Sequence, residues 1–339
     1  MTDMFTPSPT TDLSPPVSGL GSKRTCSLTV ILTMALVPSL IFWAGNTSAQ
    51  EIAADGSSPW QWLIEPRNQV SRNVTALGRN LDNWLAGEGV GGAENESYLR
   101  IRFNKELGSF GGYHSRLKIG GSLDLPRVSE RWKLIFESDT DELQSLEDSV
   151  LGDESSGEST GGFSYLQFEN DNWQLSHAIG LRARVPGDPF YRFKAKYDKQ
   201  LNSDWALGYR QKIWHYKSQG WGYDTDVSFN RQLSSNRVLS ISSEVKYQQD
   251  KEETEFSQSI ALHHSPAELN THSYEIGILG SSKPNIRIDN YFVGAQFRRA
   301  LQDDWLFLEI LPQILVSRDE SWRPEPRLLV NLEVLFFDF

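Results

Sequence analysis

The sequence predicts an all-β transmembrane barrel, up-and-down and antiparallel, and three observations carry this prediction. An apolar stretch from Leu28 to Ala44 follows a polar, Pro-rich beginning and leads to a small-residue pattern at 47–49. From residue 97 onward, apolar and polar residues alternate with a period of two in many short segments. The chain ends in Phe339. Because hydrocarbon cannot hydrogen-bond a free strand edge, such strands must close into a cylinder.

Residues 1–49 are predicted to be a cleaved signal peptide. Lys23 and Arg24 precede the apolar stretch, Pro38 interrupts it, and small residues close it, which is the pattern of a secretory signal. A membrane anchor is the alternative, because a stretch of this length could just span a bilayer. Cys26 is the single cysteine, so the mature chain would have no disulfide, no zinc–thiolate site and no cysteine nucleophile.

Composition argues against nucleic acid as a partner. The net charge is −11 and the isoelectric point is near 5.1, whereas a nucleic-acid-binding surface is basic. The mean hydropathy of −0.45 is typical of soluble proteins, but a barrel hides its membrane face by alternation.

Residues 50–95 are predicted to form a periplasmic amphipathic helix of about 25 residues and a Gly-rich linker. We expect the helix to pack at the barrel mouth, to plug the lumen or to form a short coiled coil, and residues 60–86 offer a surface for a periplasmic partner. Its apolar stripe consists of Trp60, Leu63, Val70, Val74, Leu77, Leu81 and Trp84.

Residues 97–339 are predicted to form fourteen strands, with twelve as the alternative because strands one, two and eleven are weak. An aromatic residue followed at the fourth position by leucine recurs at Tyr197, Phe229 and Phe297, which indicates regularly repeated hairpins. An even count puts both chain ends in the periplasm. The longest connection, 139–161, then lies outside the cell.

Tryptophans fall near the predicted strand ends and predict two aromatic girdles, where amphipathic rings prefer to sit. Trp132, Trp173, Trp205 and Trp305 open strands on the periplasmic side, and Trp214 and Trp221 lie at the opposite end.

The last strand resembles the signal read by the outer-membrane assembly machinery. Leu335, Phe337 and Phe339 alternate at the terminus, and Glu333 interrupts the series. Lipid, lipopolysaccharide and that machinery are therefore the expected partners.

Charged residues at inward positions predict a lumen with a basic wall and a more acidic opposite side. Such a transverse field is typical of pores that favour anions, and mutual pairing that closes the lumen is the alternative. We favour a narrow or gated pore for small anionic or amphiphilic solutes. The basic wall comprises Arg100, Arg102, Arg116, Lys118, Lys133, Arg182, Arg184, Arg192, Lys194, Lys196, Arg210 and Lys212. The acidic side comprises Asp224, Asp226, Glu244, Glu275 and Asp289.

Enzymatic chemistry, cofactors and metal sites are not expected. His215 lacks a serine two positions on, and His263 with Ser265 has that spacing but precedes Pro266 at the periplasmic side, away from outer-leaflet lipid. An outer-membrane hydrolase therefore ranks third, after a channel and a structural or interaction barrel. The acidic loop 139–158 is expected to be solvated and mobile, with loose Ca²⁺ or Mg²⁺ binding as the alternative.

Several segments resemble a family of uncharacterised proteobacterial outer-membrane proteins. The resemblance implies a barrel in the bacterial outer membrane and no known activity or catalytic residue. Its matching segments are 123–127, Trp214 with Ser218, Gly220 and Gly222, 304–309 with Pro312, and 332–334.

Overall fold

The computed structural model describes residues 58–86, 96–108, 112–126, 129, 131–138, 141–151 and 159–337. The predicted signal peptide, the Gly-rich linker and Phe339 lie outside these residues. The processing of the N-terminus and the assembly signal therefore stay predictions.

Fourteen antiparallel strands form one closed barrel. Each strand pairs with the next, and β1 pairs with β14 from Tyr98↔Phe337 to Gly108↔Arg327. The predicted fold is confirmed, and the twelve-strand alternative is wrong. The strands are β1 (Tyr98–Gly108), β2 (Gly112–Asp124), β3 (Trp132–Ser138), β4 (Ser159–Glu169), β5 (Trp173–Arg182), β6 (Asp188–Gln200), β7 (Trp205–Tyr216), β8 (Gly220–Ser234), β9 (Arg237–Gln248), β10 (Glu253–Ala267), β11 (Asn270–Ser281), β12 (Arg287–Gln302), β13 (Leu306–Ser317) and β14 (Arg323–Phe337).

Closure leaves no unpaired strand edge, and the alternation turns an apolar surface outward. Phe103, Leu117, Ile179 and Ile276 are 45%, 59%, 56% and 59% exposed, although they are large and apolar. Their neighbours along each strand point inward. Such an apolar outer surface is what lipid requires of a spanning sheet.

The start of β1 and the end of β14 lie at the same end of the barrel, which is the periplasmic end in the predicted topology. The β3–β4 connection lies at the opposite, outer end. Part of that connection has regular structure: a short 3-10 turn at Asp141–Leu143 and the helix α2 at Leu146–Leu151.

A 3-10 turn at Gln61–Leu63 leads into the helix α1, Ile64–Ala86. The helix packs against β14, β1 and β2. Because the outward side chains Phe103 and Leu117 of those strands stay exposed, the helix covers their inner face. Arg67 supports this placement, since its side chain donates to the carbonyl of Leu335 at 3.2 Å and lies 4.5 Å from the ring of Phe337.

The buried face of α1 is not the predicted apolar stripe. Ser71, Thr75 and Asp82 are buried, together with Gly78, whereas Leu77 of the predicted stripe is 58% exposed. Small side chains let a helix approach a sheet closely, so the close contact selects the Ser-Thr-Gly face instead. Among the described residues, no helix is both long enough and apolar enough to cross a membrane.

Candidate lumen site

Two adjacent rows of charged side chains cross the inner face of four neighbouring strands, β6 to β9. Strand register aligns the outer row as Lys194, Lys212, Asp224 and Lys246. It aligns the inner row, one step nearer the periplasm, as Lys196, Arg210, Asp226 and Glu244. All eight residues line one cavity of about 460 Å³, which we call the charged cavity.

The charged cavity therefore carries four of its cations on β6 and β7, and its carboxylates, together with Lys246, on β8 and β9. Five of its lining residues are basic and three are acidic. The sign of the charge changes mainly between β7 and β8, which are hydrogen-bonded neighbours.

Some of these charges are already paired. Arg210 lies 2.8 Å from Asp226, Lys196 lies 2.8 Å from Asp198, and the Lys212 ammonium is 4.0 Å from Glu142. The Arg210 and Lys196 side chains are 69% and 56% exposed within these pairs, so both remain accessible to a solute.

Residues 141–151 of the β3–β4 connection, which we call the inward loop, lie on the outer side of the charged cavity, where Glu142 is 4.0 Å from the Lys212 ammonium. Its Glu142 is buried and accepts hydrogen bonds from Arg192 at 2.5 Å and from the Tyr216 hydroxyl at 2.9 Å. The side-chain amide of Gln248 donates to the Glu142 carbonyl at 2.6 Å. The predicted solvated loop is therefore wrong for this part of the connection, because buried cations on β6 and β7 supply counter-charges that water would otherwise provide.

The inward loop is also held on the far side of the lumen by an apolar contact. Leu146 is buried with Leu279, Phe292 and Leu315, which project inward from β11, β12 and β13. Its backbone N–H donates to Glu255 at 2.7 Å. The lumen is thus not uniformly polar, and the wall formed by β11, β12 and β13 provides an apolar surface against which this loop packs.

Two carboxylates of the inward loop, Glu142 and Glu147, differ in acidity. Burial acts to raise the pKa of Glu142, but the nearby charges of Arg192, Lys212 and Lys194 outweigh it, so this pKa is lowered. Burial raises the pKa of Glu147, which has no comparable set of cations around it. Glu142 is therefore a permanent anion at neutral pH, and Glu147 accepts a proton more readily.

A second ionic cluster joins β12, β13, β14 and β1. Glu333 accepts from Arg102 at 2.5 Å and from Arg298 at 2.6 Å, and Arg298 also pairs with Glu309. Of this cluster, only Arg102 belongs to the predicted basic wall. Glu309 and Glu333 occupy inward positions of their strands, opposite Arg298 and Arg102. Their place in the alternating pattern was the sequence signal that could have identified them.

Of the other predicted basic residues, Arg100, Arg116 and Lys118 occupy inward positions on β1 and β2, and Lys133 pairs with Asp124 at 3.1 Å. None of them lines the charged cavity. The alternation in the sequence predicted that these side chains point into the lumen, but it did not predict which of them lie together.

The prediction for three charged positions at the outer rim needs correction. Arg184 lies beyond the end of β5 and is exposed, because the strand stops at Arg182. Arg182 is fully buried in an ion pair with Asp188. Asp289 occupies a register irregularity between β11 and β12 and pairs with Arg287 at 2.6 Å. All three are rim residues and do not line the charged cavity.

Two predicted girdle tryptophans are also wrong. Trp214 is 2% exposed and packs inside the barrel with Phe190 and Tyr216, because it shares inward parity with Lys212. Trp305 is 5% exposed, and the Arg67 guanidinium of α1 lies 5.8 Å from its ring.

The remaining girdle tryptophans do face outward. Trp132 contacts Tyr165, Trp173 contacts Tyr197, and Trp221 contacts His215. Trp205 lies 5.6 Å from the Arg231 guanidinium. Outward aromatic rings therefore occur at both ends of the barrel.

A second cavity of about 450 Å³ continues from the charged cavity toward the periplasm and shares Lys196 and Arg210 with it. Its wall is rich in hydroxyl and amide groups and includes Glu275 of the predicted acidic side. Within the described ranges, no group of three or more His, Cys, Asp or Glu side chains could hold a metal ion.

A closed sheet with an apolar exterior, a charged interior and a loop folded into its outer end defines a bacterial outer-membrane β-barrel protein. No family model matches the chain, and no curated protein matches it. Solved structures of similar shape include a KdgM porin, at 8% identity and a TM-score of 0.37 over 69% of this chain and 98% of that one. They also include a bacterial polysaccharide outer-membrane secretin, at 10% identity and a TM-score of 0.44 over 73% and 100%. The CymD monoaromatic hydrocarbon channel is similar at 8% identity and a TM-score of 0.44 over 78% and 93%.

Proposed function

We propose that this protein is a narrow, non-enzymatic channel for small solutes that carry an anionic group. The observation that carries the proposal is the charged cavity beneath the inward loop, with Lys194, Lys196 and Arg210 accessible on one wall. Cations inside a low-dielectric wall raise the local concentration of anions. The second cavity extends this path toward the periplasmic end.

The inward loop and α1 both narrow the lumen, so we propose that passage is restricted or gated. The loop reaches from Arg192 on β6 to Leu315 on β13, across the outer end. The helix covers the inner face of the strands at the seam between β14 and β1.

Recordings in planar lipid bilayers test the proposal. The mature protein should give discrete conductance steps with anions preferred, and Lys194→Gln with Lys196→Gln should lower that preference. Lys199→Gln is the matched control, because Lys199 lies at an outward position of the same strand. Arg192 is left intact, since it holds Glu142 of the inward loop. Equal anion preference in all three proteins would contradict the proposal.

An interaction barrel is the second candidate, and one observation favours it. Trp62, in the 3-10 turn before α1, is 70% exposed, and Leu77 on α1 is 58% exposed, so this segment presents apolar side chains that the barrel leaves open. A periplasmic partner would cover them. Silence in bilayers, both with and without residues 58–86, would favour this role over a channel.

The proposal assigns no catalytic role to the histidines. Both ring nitrogens of His177 are engaged, with the Tyr191 hydroxyl at 2.7 Å and with Gln167 at 2.6 Å, on the outer face. His263 lines the second cavity. Release of fatty acid from phospholipid by the purified protein with calcium would overturn the non-enzymatic assignment.

A further inference from the structure

The charges of the charged cavity are segregated in a way that a simple anion path does not require. Lys194 and Lys212 stand next to each other on β6 and β7, and Asp224 follows on β8 in the same row. Glu244 ends the adjoining row on β9. A solute in this cavity meets cationic groups on the β6 and β7 side, and carboxylates together with Lys246 on the β8 and β9 side.

Two groups on opposite sides of this cavity are available to a ligand. Among the residues that the structure describes, Lys194 lines the cavity without an ion-pair partner within 4.0 Å. Asp224 Oδ1 is buried in this part of the barrel without a hydrogen-bond partner. Lys246 stands opposite Asp224 in the outer row, and its ammonium also lies 5.8 Å from the Trp214 ring. A buried polar atom without a partner is costly, so a ligand that donates to Asp224 and pairs with Lys194 gains free energy.

The distances between strands set the size of a complementary ligand. Neighbouring strands lie about 4.8 Å apart, so the backbones of Lys194 and Asp224 are separated by about 10 Å, and that of Glu244 lies about 5 Å further. Side chains from both sides project into a cavity of about 460 Å³. A molecule whose opposite charges are about 5 Å apart can reach both groups at once.

We propose that the charged cavity binds small zwitterions, with the ligand's carboxylate at Lys194 and Lys212 and its ammonium at Asp224 and Glu244. This inference rests on the proposed function, because the ligand enters through the lumen. A simple anion would leave the carboxylates unpaired and repel them, and a simple cation would do the same to the lysines. A zwitterion satisfies both sides.

Three probes of equal chain length separate these cases: 4-aminobutyrate, butyrate and butylammonium. Each is added to single channels in bilayers, and the concentration that halves the current is measured. We expect 4-aminobutyrate to act at a roughly tenfold lower concentration than either of the others, the factor that one additional charge-assisted contact of about 1.4 kcal/mol gives. Equal concentrations for 4-aminobutyrate and butyrate would overturn the zwitterion site and leave the anion channel standing.

Paired variants locate the effect. Asp224→Asn with Glu244→Gln should remove the advantage of 4-aminobutyrate over butyrate. Glu275→Gln is the matched control, because Glu275 is an inward carboxylate that lines the second cavity and not the charged one. An advantage that survives in the double variant, or disappears in the control, contradicts the assignment.

Calorimetry on the full mature chain in detergent micelles keeps the test independent of conduction. If the protein does not conduct, the proposal of a channel is wrong. Binding of 4-aminobutyrate that exceeds that of butyrate, and that is lost in the double variant, would still support the site. No difference between the two probes by calorimetry would overturn it.

Discussion

Replacing Glu142 with glutamine should release the inward loop from the barrel wall. The wild-type carboxylate meets Arg192 through both oxygens and accepts from Tyr216 at 2.9 Å. The side chains of Glu142 and Arg192 are 3% and 1% exposed. Glutamine keeps the shape but leaves the buried guanidinium without its main counter-charge.

The size of the effect follows from that geometry. Breaking a buried ion pair by removing one partner costs about 3–5 kcal/mol. Glu137 lies 3.4 Å from Arg192 and compensates in part, although its side chain is 40% exposed. We therefore expect the low end, about 3 kcal/mol, which shifts the ratio of docked to released loop by roughly a hundredfold.

Single-channel recording measures this shift. The variant should spend more time in states of higher conductance and show larger current fluctuations, while the unfolding temperature of the barrel should stay the same because the strand pairing is unchanged. Glu147→Gln, on the same loop but without an arginine pair in the described residues, is the control, and it should not raise the conductance or the noise. Unchanged conductance and noise in a correctly folded Glu142→Gln barrel would refute the idea that this residue holds the loop.

Three further outcomes are expected. Gly222→Ala should lower the free energy of unfolding by about 1–3 kcal/mol, because its Cβ would overlap the Trp214 indole; urea titration checks this. Arg67→Ala should make α1 more susceptible to limited proteolysis, since it removes the bond to β14 and the contact with Trp305. Acidification from pH 7.5 to 5 should favour the docked loop, because a raised pKa, that of Glu147, gives stability that is present at low pH and lost as pH rises. The lowered pKa of Glu142 keeps it charged over that range. Glu147→Gln should abolish the pH effect on channel noise.

Alternation was enough to predict the strands, because a sheet in lipid must turn every second side chain outward. It also predicted the inward direction of Lys194, Arg210 and Asp224 correctly. The same rule, applied strictly, would have moved Trp214 into the lumen with Lys212. The girdle prediction failed there because position along the strand was given more weight than parity.

Contacts between distant parts of the chain were beyond such reasoning. The composition of the β3–β4 connection is strongly acidic, which favours a solvated loop, and nothing local shows that Glu142 meets Arg192, fifty residues away. The prediction of the buried face of α1 was wrong for a related reason. Periodicity found its apolar stripe, but the inner wall selected Ser71 and Thr75, whose small side chains allow close approach.

The position of Glu333 has a consequence for how the cylinder is completed. This residue interrupts the apolar series near the C-terminus, yet it holds Arg102 from the first strand and Arg298 from the twelfth. Until the two chain ends meet, Arg102 lacks this partner, and a chain shortened before Glu333 could never supply it. Incomplete or misregistered closure therefore leaves Arg102 in the lumen without this carboxylate, so the contacts of Glu333 favour only the complete, correctly aligned ring.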